Sequence, residues 1–290
     1  MLAAFTTNPR TSSAIVLCQH PNNADPSDLY LSVCPTLLIC SKCLILSTGW
    51  NQPARVHFGR GWARRGAAEL FAEVVRVYDP LLPVCSDEDP IAVLVNGGVP
   101  ELSELRLHQS TAWLWNRPIY DPADGGMLRV EMRALPAGPS AIDMVANAVF
   151  LIGLAEGIRP QLEELLPGCP FQMADYNFYR AAQHGLDAKL VWPGWHQYGC
   201  AERPIMDILT EMLPVAVEGL ERIGVSRDEI DRYMGVIERR IATRRTGARW
   251  QLAMLNQLGH DLSRGDALHQ LLEAFMERSA GNTPVAEWTL

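Results

Sequence analysis

The chain has 290 residues, 48% of them apolar and 20% charged, a composition suited to burying a core rather than to a disordered or fibrous protein. A net charge of -8 and a pI near 5.4, with no basic run, give no electrostatic basis for a nucleic-acid partner. Seven cysteines, an odd number at uneven spacings, form no disulfide framework and point to a reducing cytoplasm.

Residues 1–54 read as an irregular or degraded amino-terminal segment, rich at first in Thr, Ser, Asn, Asp and Pro and without sustained periodicity. No basic region followed by an apolar run opens the chain, so no signal peptide is predicted. The longest apolar stretch, 29–46, is broken by Pro35 and Lys42 and is only a weak candidate for a membrane span. Cys40-Ser-Lys-Cys43 lacks the second pair that a zinc site needs. Over 67–78, Leu70, Phe71, Val74, Val75 and Val77 predict an amphipathic helix leading to Pro80. Residues 91–95 predict a short apolar strand ended by Asn96-Gly97-Gly98.

The most informative stretch is 108–139. Its strand candidate over 128–134 places Leu128, Val130, Met132 and Ala134 on one face, the predicted core face, and Arg129, Glu131 and Arg133 on the other. A preceding strand candidate, 112–117, puts Trp113, Trp115 and Arg117 together, with Asn116 opposite. A turn-rich connector over 118–126 makes the pair an antiparallel hairpin with a long loop. Two readings of its polar face stand side by side. A carboxylate between guanidinium groups can ligate a hard cation while the arginines hold phosphate or carboxylate oxygens. The same residues can form a cross-strand ion-pair ladder on a wet face.

Beyond the hairpin the chain reads as helical. Ser140 caps a helix over 141–154 that is apolar nearly all round and therefore buried, with Asp143 and Asn147 in capping and helix–helix hydrogen bonds. Helix 173–186 carries Asn177, Arg180 and His184 on one polar stripe, read as a solvated face. Trp192-Pro-Gly-Trp195 is predicted to be a loop. A helix from Pro204 to about 223 is predicted to kink at Pro214. Ser226-Arg-Asp-Glu229 is a capping box that opens a helix to about 242. A last helix over 266–278 precedes a tail expected to fray from Asn282.

His108-Gln-Ser-Thr111, Trp113-Leu-Trp-Asn-Arg117, Leu128-Arg-Val-Glu-Met-Arg133, Leu135-Pro-Ala-Gly-Pro139, Asp143-Met-Val-Ala-Asn147 and Thr246-Gly-Ala-Arg-Trp-Gln251 occur in that order. Together they resemble the carboxy-terminal half of the bacterial glutamate-cysteine ligase family, ATP-dependent carboxylate-amine ligases with a glutamine-synthetase-like sheet. The resemblance runs over about 56–251 and departs from the family's usual glycine at Ser110.

The resemblance implies an α+β fold: a partial antiparallel sheet of glutamine-synthetase-like type packed by a mainly helical carboxy-terminal portion. The corresponding division is 1–54, a catalytic-domain part at 55–281, and a tail at 282–290. It assigns Glu131 to a nucleotide-bound metal and Arg133 to the transferred phosphoryl group, with Arg129 and Arg117 as further catalytic residues. His108, Thr111, Trp113, Asn116 and Arg249 fall to substrate or nucleotide binding. ATP and Mg2+ follow as cofactors, with glutamate and cysteine, or another amine, as substrates. No membrane partner is implied. Full-length relatives supply further metal ligands from a G-x-E-x-E strand motif, which does not occur before Glu131. The expectation is therefore a shortened enzyme, completed by an amino-terminal half or a homo-oligomer, or else an inactive remnant that only binds.

Overall fold

A computed structural model describes residues 54–290 apart from 65, 83, 136–137 and 194–199. The Cys40–Cys43 pair and the apolar stretch at 29–46 lie outside the described residues, as does part of the predicted loop at 192–195. The chain divides at Arg133/Ala134 into two compact units. Each mixes helices with small sheets, in agreement with an α+β class.

The first unit holds β1 (Val56–His57), α1 (Ala67–Val77), α2 (Pro90–Val95), α3 (Ser103–Ser110), β2 (Trp113–Leu114), β3 (Asn116–Asp121) and β4 (Met127–Met132). β1 pairs with β2 in parallel, and β3 with β4 antiparallel. Its small core gathers Val74, Tyr78, Ala112 and Leu114.

Residues 91–95, predicted as a strand, are helical. Asp89 accepts hydrogen bonds from Ile91 N at 3.0 Å and Ala92 N at 3.1 Å, and Pro90 occupies the first helical position. The cap outweighs the β-propensity of the apolar run.

β3 continues through Pro118, where the sequence suggested that the connector starts, and the tighter turn is built on a 3-10 segment, Ala123–Gly125. Proline is compatible with this strand because Pro118 faces Val130 at a pair that makes no ladder bond, as the Arg133 N to Trp115 O bond of 2.9 Å sets the alternation.

The second unit is mainly helical. It contains α4 (Ala141–Ile158), α5 (Leu162–Gly168), α6 (Phe171–His184), α7 (Ile205–Arg222), α8 (Arg227–Thr243), α9 (Gly247–Leu258) and α10 (Arg264–Ala280). A hairpin of β5 (Lys189–Pro193) and β6 (Cys200–Pro204) joins α6 to α7, so Trp192 and Pro193 end a strand rather than lie in a loop. Ser140 and Ser226 cap α4 and α8 as their sequence patterns predict.

The stretch Ala141–Gly168 is apolar enough to cross a membrane by composition. Ala146, Phe150 and Leu154 on it instead face the core formed with Ile208, Leu209, Met212 and Ile237. α4 and α7 approach so closely that a Cβ at Gly219 would strike the backbone of Gly153 and Gly157. Glycine is needed there for space, not for its torsions.

Two expectations are overturned here. Asn177 is buried, not solvated: its amide accepts from Val191 N at 2.8 Å and donates to Val191 O at 2.6 Å, tying α6 to β5. The tail does not fray. Val285, Ala286 and Trp288 are buried, and Trp288 meets Trp250 edge to face, with ring centroids 5.0 Å apart. Aromatic burial holds a segment whose polarity suggested disorder.

The tail also reaches a buried ion pair. Arg240 NH2 donates to Asp143 Oδ1 at 2.6 Å and NH1 to Asn147 Oδ1 at 2.6 Å, while Asp143 Oδ2 accepts from Ser140 Oγ at 2.6 Å and Val285 N at 2.9 Å. Truncating Arg240 to alanine strands a carboxylate in the core. Loss of about 3–5 kcal/mol is expected, read as a lower denaturation midpoint in urea, whereas the same change at the exposed Arg227 should cost under about 1 kcal/mol.

Candidate anion site on the hairpin

The register of β3 and β4 sets Arg117 directly opposite Glu131. Arg117 Nε donates to Glu131 Oε2 at 2.9 Å, and Arg117 NH2 lies 2.9 Å from the same oxygen. Arg133 Nε, two residues along the same face, is 3.8 Å from it. One carboxylate thus sits between two guanidinium groups, with the Glu131 side chain 43% exposed and that of Arg133 34% exposed. The cluster is open to a ligand.

Arg129 lies on this face but turns to Asp121, at 2.6 Å. That hydrogen bond, helped by Ala123 N, holds the Asp121 carboxyl below the usual carboxylate range. The ladder reading of the sequence is therefore realised as Arg117–Glu131–Arg133 and Arg129–Asp121. Arginine remains in excess of carboxylate on Glu131, which leaves the cluster cationic.

The other residues implied by the resemblance are spread out. His108 belongs to α3 and its Nε2 lies 3.2 Å from Val74 O. Ser110 ends the same helix, its hydroxyl donating to Leu107 O at 2.6 Å, so the motif enters its strand through a helical turn. Trp113 is in β2, and Asn116 is exposed, opposite Met132. Thr111 serves the core: its hydroxyl accepts from Arg55 NH1 at 2.8 Å and donates to His108 O at 2.7 Å. Arg249 belongs to the second unit, where it is ion-paired with Asp187, and Trp250 beside it is a core residue.

Sequence reasoning passed over Arg55. It is 4% exposed, donates from NH2 to Asp79 O at 2.6 Å, and lies over the Tyr78 ring at 5.0 Å. Burial lowers its pKa and pushes that of Tyr78 up to about 12. Nothing in the local sequence marks Arg55, because its partners come from Asp79 and Thr111.

Comparison with protein-family models, with curated proteins and with solved structures finds no match to this chain.

Mg2+ takes oxygen ligands in near-octahedral geometry. Among the described residues no group of three His, Cys, Asp or Glu side chains is placed to hold a metal ion. Glu131, flanked by guanidinium groups, is not a metal site alone. The cluster fits an anion better: two planar donors on one face suit bidentate contact with phosphate or carboxylate oxygens.

The cluster and the Arg55 node should respond differently to mutation. Glu131→Gln is expected to change unfolding free energy by less than about 1 kcal/mol, since the pair is solvent-screened. Arg55→Ala should cost about 1–3 kcal/mol by removing the donor to the buried Thr111 hydroxyl and carbonyl. Chemical denaturation of both variants measures the contrast.

Proposed function

We propose that the chain acts as an ATP-dependent carboxylate-amine ligase of glutamate-cysteine ligase type in a reducing cytoplasm, with the β3–β4 hairpin holding the substrate anions. The observation that carries this reading is the convergence of Arg117 and Arg133 on one exposed carboxylate, Glu131. A glutamine-synthetase-like sheet belongs to the same proposal.

In such a reaction the terminal phosphoryl group of ATP passes to the side-chain carboxylate of glutamate, giving an acyl phosphate and ADP. The amine of cysteine, or of another acceptor, then attacks the acyl carbon. Phosphate leaves and the attacking nitrogen loses a proton, completing a γ-glutamyl amide. Phosphoryl transfer asks a protein mainly for positioning and charge neutralisation. Arg133 and Arg117 supply both to anionic oxygens, and Glu131, paired with each, holds the two guanidinium groups together on one face against their mutual repulsion. A nucleotide-bound Mg2+ would take Glu131 as one ligand and would need carboxylates besides it.

A second reading is a protein that binds phosphate or carboxylate without turnover. The absence of a three-ligand metal group among the described residues favours it.

One set of measurements separates the two. For the ligase, glutamate-dependent phosphate release from ATP is expected once the acidic amino-terminal half of a full-length relative is supplied, and should vanish in Arg133→Lys, whose ammonium cannot reproduce a bidentate fork. Glu131→Gln should weaken Mg2+-dependent binding of a non-hydrolysable ATP analogue by about tenfold or more. The binding protein predicts the opposite sign: Glu131→Gln frees Arg117 and tightens phosphate binding without any turnover.

A further inference from the structure

We infer that two copies of this chain associate through the free edge of β4, antiparallel and centred on Val130. The inference is independent of the proposed ligase activity.

The edge is defined by the ladder. Arg133 N bonds to Trp115 O, so the amides and carbonyls of Arg129 and Glu131 also point at β3. Those of Leu128, Val130 and Met132 then point the other way, and among the described residues no strand meets them. β3 has the corresponding outward set at Asn116, Pro118 and Tyr120, but Pro118 has no N–H to offer. The hairpin therefore has one edge blunted by proline and one that is not.

The side chains on the open strand are those of a face that expects cover. Leu128 is 60% exposed, Val130 55% and Met132 37%, although their alternation with Arg129 and Glu131 is that of a half-buried strand.

The sequence of β4 is complementary to itself about Val130. In an antiparallel pair centred there, Val130 faces Val130 of the second copy and Leu128 faces its Met132. Arg129 faces its Glu131, and the two-fold axis repeats each contact. Every apolar residue in 128–132 meets an apolar residue and every charge meets its opposite. The groups that hydrogen-bond at 128, 130 and 132 are the outward-pointing ones. A one-residue slip would set apolar side chains against charged ones and offer inward-facing amides. The register is thus chosen by side chains and by backbone together.

A closed two-fold pair also ends growth, because the outer strands of the resulting four-stranded sheet are both β3, whose outward edge is interrupted by Pro118, a buried residue with no N–H to offer. The occupant that this edge fits is a second copy rather than an open fibre.

Sedimentation of the full chain over a concentration series should show a monomer–dimer equilibrium. Val130→Lys places two ammonium groups against each other on the axis and should weaken association by roughly tenfold or more. Its circular dichroism and thermal unfolding should match those of the parent at low concentration. Under mild oxidation, Val130→Cys should give a disulfide-linked dimer above the background from the native cysteines. Leu128→Cys should not, because its two copies lie about 13 Å apart along the strands in this register. A chain that stays monomeric throughout, a Val130→Lys variant that dimerises like the parent, or equal cross-linking at 128 and 130 would overturn the inference. If Val130→Lys fails to fold, the cross-linking pair decides alone.

Discussion

The buried guanidinium of Arg240 is the constraint on which the helical unit turns. Burial alone lowers its pKa, and the adjoining Asp143 carboxylate works against that shift. A charge so placed is tolerated only where hydrogen bonds are supplied, and here its two terminal nitrogens are served from two positions on α4, Asp143 and Asn147, four residues apart on one face. Asp143 in turn takes the amide of Val285, so the helix start, α8 and the carboxy-terminal turn are fixed against one another through one side chain. An ion pair of this kind adds less stability than an apolar contact of equal volume, but it accepts only one arrangement of the three segments.

The close approach of α4 and α7 belongs to the same arrangement. Gly153 and Gly157 on one helix and Gly219 on the other remove side chains where the backbones meet. The apolar positions around them fill the core densely, with Phe150, Ile208 and Leu209 fully buried. An almost uniformly apolar α4 would read as a membrane span in isolation; close helix packing gives its buried side an alternative to lipid.

The hairpin follows a different logic. Its charged face is organised by cross-strand neighbours, each within reach because the strands are antiparallel and in register. On its apolar face, Leu128, Val130 and Met132 stay exposed among the described residues. A strand that is amphipathic in sequence yet exposed on its apolar side carries a cost that another surface can relieve. On the other face arginines outnumber carboxylates, which leaves it cationic.

How much of this was legible without coordinates differs by element. The caps at Ser140 and Ser226 and the alternation over 128–132, where the strand ends two residues earlier than predicted, rest on contacts within a few residues, and these the sequence by itself determined. The sharing of Glu131 between Arg117 and Arg133 was also within reach, because a hairpin joins neighbouring segments. Residues 91–95 were misread as a strand because one aspartate cap outweighs propensity over so short a run. Only the tertiary structure decided what lies far apart in the chain: Arg240 against Asp143, Arg55 against Thr111, and Trp288 against Trp250. It alone decided, too, that Leu128 and Val130 face outward. Period-two alternation says which residues share a face, whereas burial depends on whether another segment arrives to cover it.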